Sequence, residues 1–327
     1  MTDNETPSAS LSEFSQLEGD PFERRNPGPA ERPRRRAFFL AVFGFAVFLV
    51  FLVMKLPEAR IRNLIIAHIR IFAQEQGLSF SAEKVRIGIL MGPTVKIHGA
   101  ELKSVDDEKQ NLKIPYVRIR PRLFSLLTSM KTASIHAELL DGTISGAAGA
   151  SPSAIKTELE LRTLNLGQAA LLRKFLGLQV EGKINGTLKI LFDHVSPQKS
   201  DGKIRLFLDG IAVPAQAYMG FNLPQINIVS AHVDAGIAGG KLVINEFNVG
   251  KDIKAEDLVA KVTGDVILAG LIDQSRVNIK AVFEISNRVI TAFPLLDALI
   301  GTAKGSDGKY TYRISGVLSA LEPSPGG

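Results

Sequence analysis

Polar and apolar residues change rhythm twice along this chain, and the changes divide it. From 37 to 54 runs a stretch of 18 residues without a charge, thirteen of them Phe, Leu or Val. At about 1.5 Å of helical rise per residue it covers about 27 Å, close to the ~30 Å of a bilayer's hydrocarbon. A soluble core rarely needs a helix apolar on all sides, so the run predicts a transmembrane anchor over 37–56. Beyond Pro57, Ile61, Leu64, Ile65, Ile69 and Phe72 recur at helical spacing up to Gly77. They predict an amphipathic membrane-proximal helix over 57–77, at the outer membrane surface.

From Leu78 the period is two. Val85 and Ile87 alternate with Lys84 and Arg86, and Val117 and Ile119 with Arg118 and Arg120. Val180, Ile184 and Leu188 alternate with Glu181, Lys183, Thr187 and Lys189. Further on, Val262 and Val266 stand against Lys261, Thr263 and Asp265, and Ile279 and Phe283 against Asn278, Lys280 and Glu284. Such alternation gives strands with one dry and one wet face. Turn signals at Asp141-Gly142, Asp201-Gly202, Gly239-Gly240 and Asp307-Gly308 divide them into antiparallel hairpins.

Two leucine-rich helical breaks, 169–176 and 290–300, each precede a glycine-punctuated strand, a weak internal repeat. The expected fold is mainly β: an antiparallel curved sheet with short helices over 78–321, preceded by one transmembrane helix and followed by a frayed tail over 322–327. Periodicity leaves an open β-groove, a flattened barrel and a sandwich equally possible. Few helical segments are left to cover the apolar face of so long a sheet, which makes it a candidate lipid groove. Val180, Ile184, Leu188, Val262, Val266, Ile279 and Phe283, where alternation is clearest, are its candidate lining.

Charge sets the orientation. Arg32, Arg34, Arg35 and Arg36 abut the apolar run and resist translocation, which keeps the N-terminus cytoplasmic. The run is longer than a signal-peptide core, and no Ala-x-Ala-like cleavage site follows it. Residues 1–36, rich in Ser, Pro, Glu, Asp and Arg, cannot bury enough surface to offset chain entropy and read as a disordered cytoplasmic tail. The net charge is +6. Beyond the anchor no basic block is interleaved with aromatic residues, so nucleic acid is not implied. Cysteine is absent, which excludes disulfides and thiol chemistry.

The sequence shows no catalytic constellation. Ser153 and Lys156 have a serine–lysine enzyme's spacing, but they fall on a strand entrance, where i and i+3 point to opposite faces. Gly177 to Lys183 resembles a P-loop until Ile184 takes the magnesium-binding hydroxyl position, with a strand where a helix is needed. His68, His98, His136, His194 and His232 are scattered without ligand spacing, and 106–108 is an acidic turn. A non-enzymatic protein without a cofactor or metal is expected.

Several stretches nevertheless resemble a family. Gly77-Leu-Ser-Phe80 after the span and helix, Ile114-Pro-Tyr-Val-Arg-Ile-Arg-Pro121, Ala137 to Gly146, and the helix-then-glycine-strand unit Leu171 to Leu188 are similar to the GspN family of type II secretion proteins. That family lies within the wider AsmA-like group of inner-membrane-anchored envelope proteins. The resemblance covers about residues 37 to 321. It implies a single-pass protein of the cell inner membrane with a periplasmic β domain, a component of type II secretion that contacts other secretion-system subunits. The AsmA-like group implies an alternative, a β-groove that binds or transfers phospholipid or another acyl lipid.

Overall fold

The computed structural model describes residues 58–88, 92–107, 109–218, 221–293, 296 and 300–326. The tail 1–36, the anchor 37–56 and Arg32, Arg34, Arg35 and Arg36 therefore lie outside the described residues. No helix among the described residues is long and apolar enough to cross a membrane.

Residues from Pro57 onward form one compact unit. Helix α1 (Glu58–Glu75) leads into β1 (Leu78–Gly88), β2 (Thr94–Ser104), β3 (Asn111–Pro121), β4 (Lys131–Leu139), β5 (Gly142–Ala150) and β6 (Ala154–Asn165). A short helix α2 (Leu172–Leu176) precedes β7 (Glu181–Asp193), β8 (Asp201–Val213), β9 (Gln216–Tyr218), β10 (Phe221–Leu223), β11 (Ile226–Ala238), β12 (Lys241–Val249), β13 (Leu258–Ile267) and β14 (Arg276–Ile285). Helix α3 (Asn287–Ala292) then precedes β15 (Tyr310–Val317) and β16 (Ala320–Pro325).

Fourteen of these strands make one antiparallel sheet in chain order from β1 to β16, interrupted only by the separate β9–β10 hairpin. Local turns suffice to build it, because every strand pairs with its predecessor. Among the described residues no pairing joins β1 to β16, so these are the sheet's two edges.

Two sequence expectations need correction. Asp201-Gly202 is no turn: it opens β8, pairing with Leu191 and Ile190, and the reversal is made by a 3-10 turn at Pro197–Lys199. Residues 322–325 do not fray, because β16 pairs with β15 through Tyr312↔Pro325. At the other signals, Leu140 and Asp141 both take left-handed backbone before Gly142, and Gly239 and Gly240 form the β11–β12 turn.

Helix α1 lies along β1. Its buried Ala73 meets Leu78 at the start of the strand, Ile66 and Ile69 pack against Val85 and Ile97 midway, and Arg62 lies beside Arg86 and Ile87 near its end. The stripe expected to face a membrane is thus divided. Ile65, Ile66 and Ile69 are partly buried, while Leu64 and Phe72 stay exposed. Under the helix, the buried phase of alternation slips by one residue at the same level in three strands, from Ala82 to Val85, Ile97 to Ala100 and Ile114 to Val117. Gly99, at φ 60°, absorbs the slip in β2, a conformation that costs a residue with a Cβ.

Candidate lipid groove

The strand registers carry one apolar row into the next. Ile184 pairs with Leu208, Leu208 with Ala231, Ala231 with Val249, Val249 with Ala260 and Ala260 with Phe283. A second row runs from Leu161 through Gly186 and Leu206 to Val233. A third links Ile237, Leu242, Val266 and Val277. Ile184, Leu188, Val262, Val266, Ile279 and Phe283 therefore share one face, although three strands lie between β7 and β13. Val180, just before β7, packs with the buried cluster of Ile211, Ile228 and Ala231 at one end of that face.

All seven are partly exposed, as are Ile204, Leu206 and Leu208 of β8 and Ile135, Ile144 and Leu159 farther along the sheet. In a sealed two-layer core these positions would be fully buried, because facing sheets interdigitate at about 10 Å. Full burial on this face is found at Ala231, Ala235 and Ile237 of β11 and Val277 of β14, and beneath the covering elements. Helix α1 covers β1 to β3, Leu171 packs with Ala73 and Leu78, and Val289 and Phe293 around α3 are buried, with Phe293 5.8 Å from the Phe221 ring of the small hairpin.

These covering pieces share a rim. The connections β6–β7, β8–β11 and β14–β15, which carry α2, the β9–β10 hairpin and α3, all lie at the strand ends where β1 begins. Lys174 of α2 ties this rim together, donating to the Gly77 carbonyl at 2.9 Å and pairing with Asp106 at 3.0 Å.

The other face is mainly polar, with Phe207, Val243, Val259 and Val282 set among charged neighbours. Lys156–Glu158 (3.0 Å), Arg162–Glu160 (2.9 Å) and Arg205–Asp234 (3.1 Å) are ion pairs on it. Hydrogen bonding from Lys156 and from Arg162 holds the Glu158 and Glu160 carboxyls below their ordinary range. All are solvated, so they keep this face wet rather than stabilise the sheet. A depression of about 830 Å³ lies on this face, lined by Phe207, His232, Glu246 and Lys261. Its groups satisfy one another: His232 stacks on Phe207 at 4.5 Å and its Nδ1 lies 3.3 Å from Glu246. Lys156 pairs with Glu158, so Ser153 and Lys156 form no dyad. No three His, Cys, Asp or Glu residues converge as metal ligands among the described residues.

Sequence reasoning missed part of the apolar face. Phe207, on the polar side of β8, obscures the alternation of Ile204, Leu206 and Leu208. The β5 sequence Gly142 to Ala150 is too rich in Gly and Ala to show a face, and only its pairing with β4 and β6 assigns one. Comparison of the chain with protein-family models, curated proteins and solved structures gives no match.

Proposed function

We propose that the apolar face of the sheet binds acyl lipid, as an open groove in a membrane-anchored, non-enzymatic protein. What supports this is one observation: an apolar surface running through β4 to β15 on which Ile184, Leu188, Leu206, Leu208, Val262, Val266, Ile279 and Phe283 all keep some solvent exposure, although Ala231, Ala235, Ile237 and Val277 beside them are buried. Thirteen inter-strand steps of about 4.8 Å give the sheet roughly 62 Å across its strands, several times the ~15 Å of one bilayer leaflet's hydrocarbon. Each methylene buried there would contribute about 0.8 kcal/mol, so one long acyl chain offsets its loss of freedom without a polar anchor.

Mass spectrometry of the purified full-length protein tests the reading. Lipid should co-purify, and Ile184→Asp or Val262→Asp should deplete it while the fold survives, because both positions already reach solvent. Folded wild-type protein that carries no lipid, and gains none from labelled vesicles, would remove the proposal.

The type II secretion role implied by the GspN resemblance calls for a surface that takes a partner subunit, and sheet edges are the obvious one. At β16 that edge is blunted. Gly326 donates to the Thr311 carbonyl, so alternate residues 324 and 322 also face β15 and the nitrogens of Pro323 and Pro325 face outward, where proline offers no donor. Lipid binding is accordingly the reading the geometry favours.

A further inference from the structure

The two rims of the sheet differ in chemistry. At the rim where β1 ends, the loops β3–β4, β7–β8 and β13–β14 expose Leu123, Phe124 and Leu127, Val195, and Leu271 and Ile272. Phe124 and Leu127 are 87% and 88% exposed, which puts both rings and branches almost wholly in water. At the opposite rim, among the described residues, the exposed large apolar groups are Val105 and Phe221 in the connections and Ile71 and Phe72 at the end of α1, fewer and less spread along the sheet. The difference is one of position along the strands, with no counterpart in the alternation of faces.

The three loops are built alike. Each holds a single 3-10 turn and one buried serine that closes its base. Ser125 accepts the Thr132 N–H at 2.9 Å and donates to the Arg122 carbonyl at 2.6 Å. Ser200 accepts the Asp193 N–H at 3.0 Å, and Ser275 the Ala269 N–H at 3.1 Å. Serines satisfied in this way hold the loop bases fixed, so the apolar tips are held out into solvent by construction. Spread over about eight inter-strand steps, they line roughly 38 Å of rim, too extended for a pocket-seeking ligand and suited to a continuous apolar medium.

The chain itself enters at this rim. Because α1 descends along β1 from Arg62, beside Ile87, to Ala73, beside Leu78, its first residue Glu58 stands near the end of β1. Only three residues separate Glu58 from Met54, the last of the uncharged run. We propose that this rim rests in the interface of the bilayer that holds the run 37–54, with the loop tips inserted among the lipid headgroups and upper acyl chains. This rests on reading that run as a membrane span. One end of the apolar face would then meet the bilayer, with α2, α3 and the β9–β10 hairpin at the far end.

The absence of cysteine makes the test direct, because a single introduced thiol is unique. Full-length protein in phosphatidylethanolamine–phosphatidylglycerol vesicles, carrying nitroxide-labelled lipid, is labelled with an environment-sensitive fluorophore at Phe124→Cys, Leu127→Cys or Ile272→Cys. Val105→Cys and Lys254→Cys mark the opposite rim, and Ala46→Cys the apolar run. The rim labels should show a blue shift and loss of emission to the nitroxide, and the opposite-rim labels neither. Quenching at Ala46 with none at the three rim sites would overturn rim docking while leaving the anchor intact. Quenching at neither would remove anchor and docking together, and equal quenching at both rims would also overturn the proposal.

Discussion

Asp257 and Glu256 are buried carboxylates whose burial is explained by a local shortage of backbone partners. Strand β12 stops pairing with β11 at Ala231↔Val249, which leaves the first residues of β11 unpaired on that side. Glu256 accepts the Val229 N–H at 2.8 Å and Asp257 the Asn227 N–H at 2.8 Å, replacing the missing strand. Arg288 of α3 pairs with Asp257 and donates to the Gln225 carbonyl at 2.7 Å, fixing the cover to the sheet. Burial pushes the Asp257 carboxyl up, but the Arg288 guanidinium, the Asn227 N–H and the Ser286 hydroxyl outweigh it and hold it below its ordinary 3.8. A depressed carboxyl contributes stability above its unfolded value, and that share is lost as pH falls from about 4 through the folded value. Asp257→Ala should lower stability in urea by roughly 1–3 kcal/mol at neutral pH, the cost of stranding buried donors, since half-exposed Arg288 can still find water. The variant should also lose part of the wild type's decline below about pH 4, and an unchanged acid profile would contradict the assignment.

Among the elements, the edges of a long meander are its weakest design point, because an unpaired strand invites another chain. β16 is exposed along its whole length, and the two outward-facing prolines remove the donors a docking strand would need. Replacing both, Pro323→Thr with Pro325→Thr, should leave the fold intact and shift purified protein towards larger species in sedimentation velocity. A monodisperse profile matching the wild type would show that β16 is protected in some other way. The same reasoning explains why a tail rich in Pro, Ser and Gly reads as frayed in sequence yet is paired in the fold. Only the side of the strand on which each proline falls decides the matter.

For the molecule as a whole, each strand rests on its sequence neighbours, so the sheet has a direction: it starts at α1 and ends at β16. If the anchor reading holds, alkaline phosphatase fused after Gly327 should be active in a Gram-negative host, and one fused before Arg34 inactive. The reverse pattern would place the sheet in the cytoplasm and end the envelope reading. Rim docking would then involve the cytoplasmic leaflet of the same bilayer.

The strands, their antiparallel order and the apolar character of one face were legible in the sequence, because a period of two is imposed residue by residue and each strand pairs with the next. Val262 and Ile279 announce their face through Lys261 and Lys280 beside them. Only the tertiary structure decided which positions of this face keep accessible surface, as Ile184, Leu206 and Val266 do and Ala231 and Ile237 do not, since the same alternation would serve a sealed sandwich. It alone placed Glu256 and Asp257 beneath β11, because their partners are 27 and 30 residues away and nothing local marks them. The gathering of Phe124, Val195 and Ile272 on one rim was likewise out of reach of periodicity. That arrangement follows from which end of each strand its loop joins, a property of the assembled sheet and of no single segment.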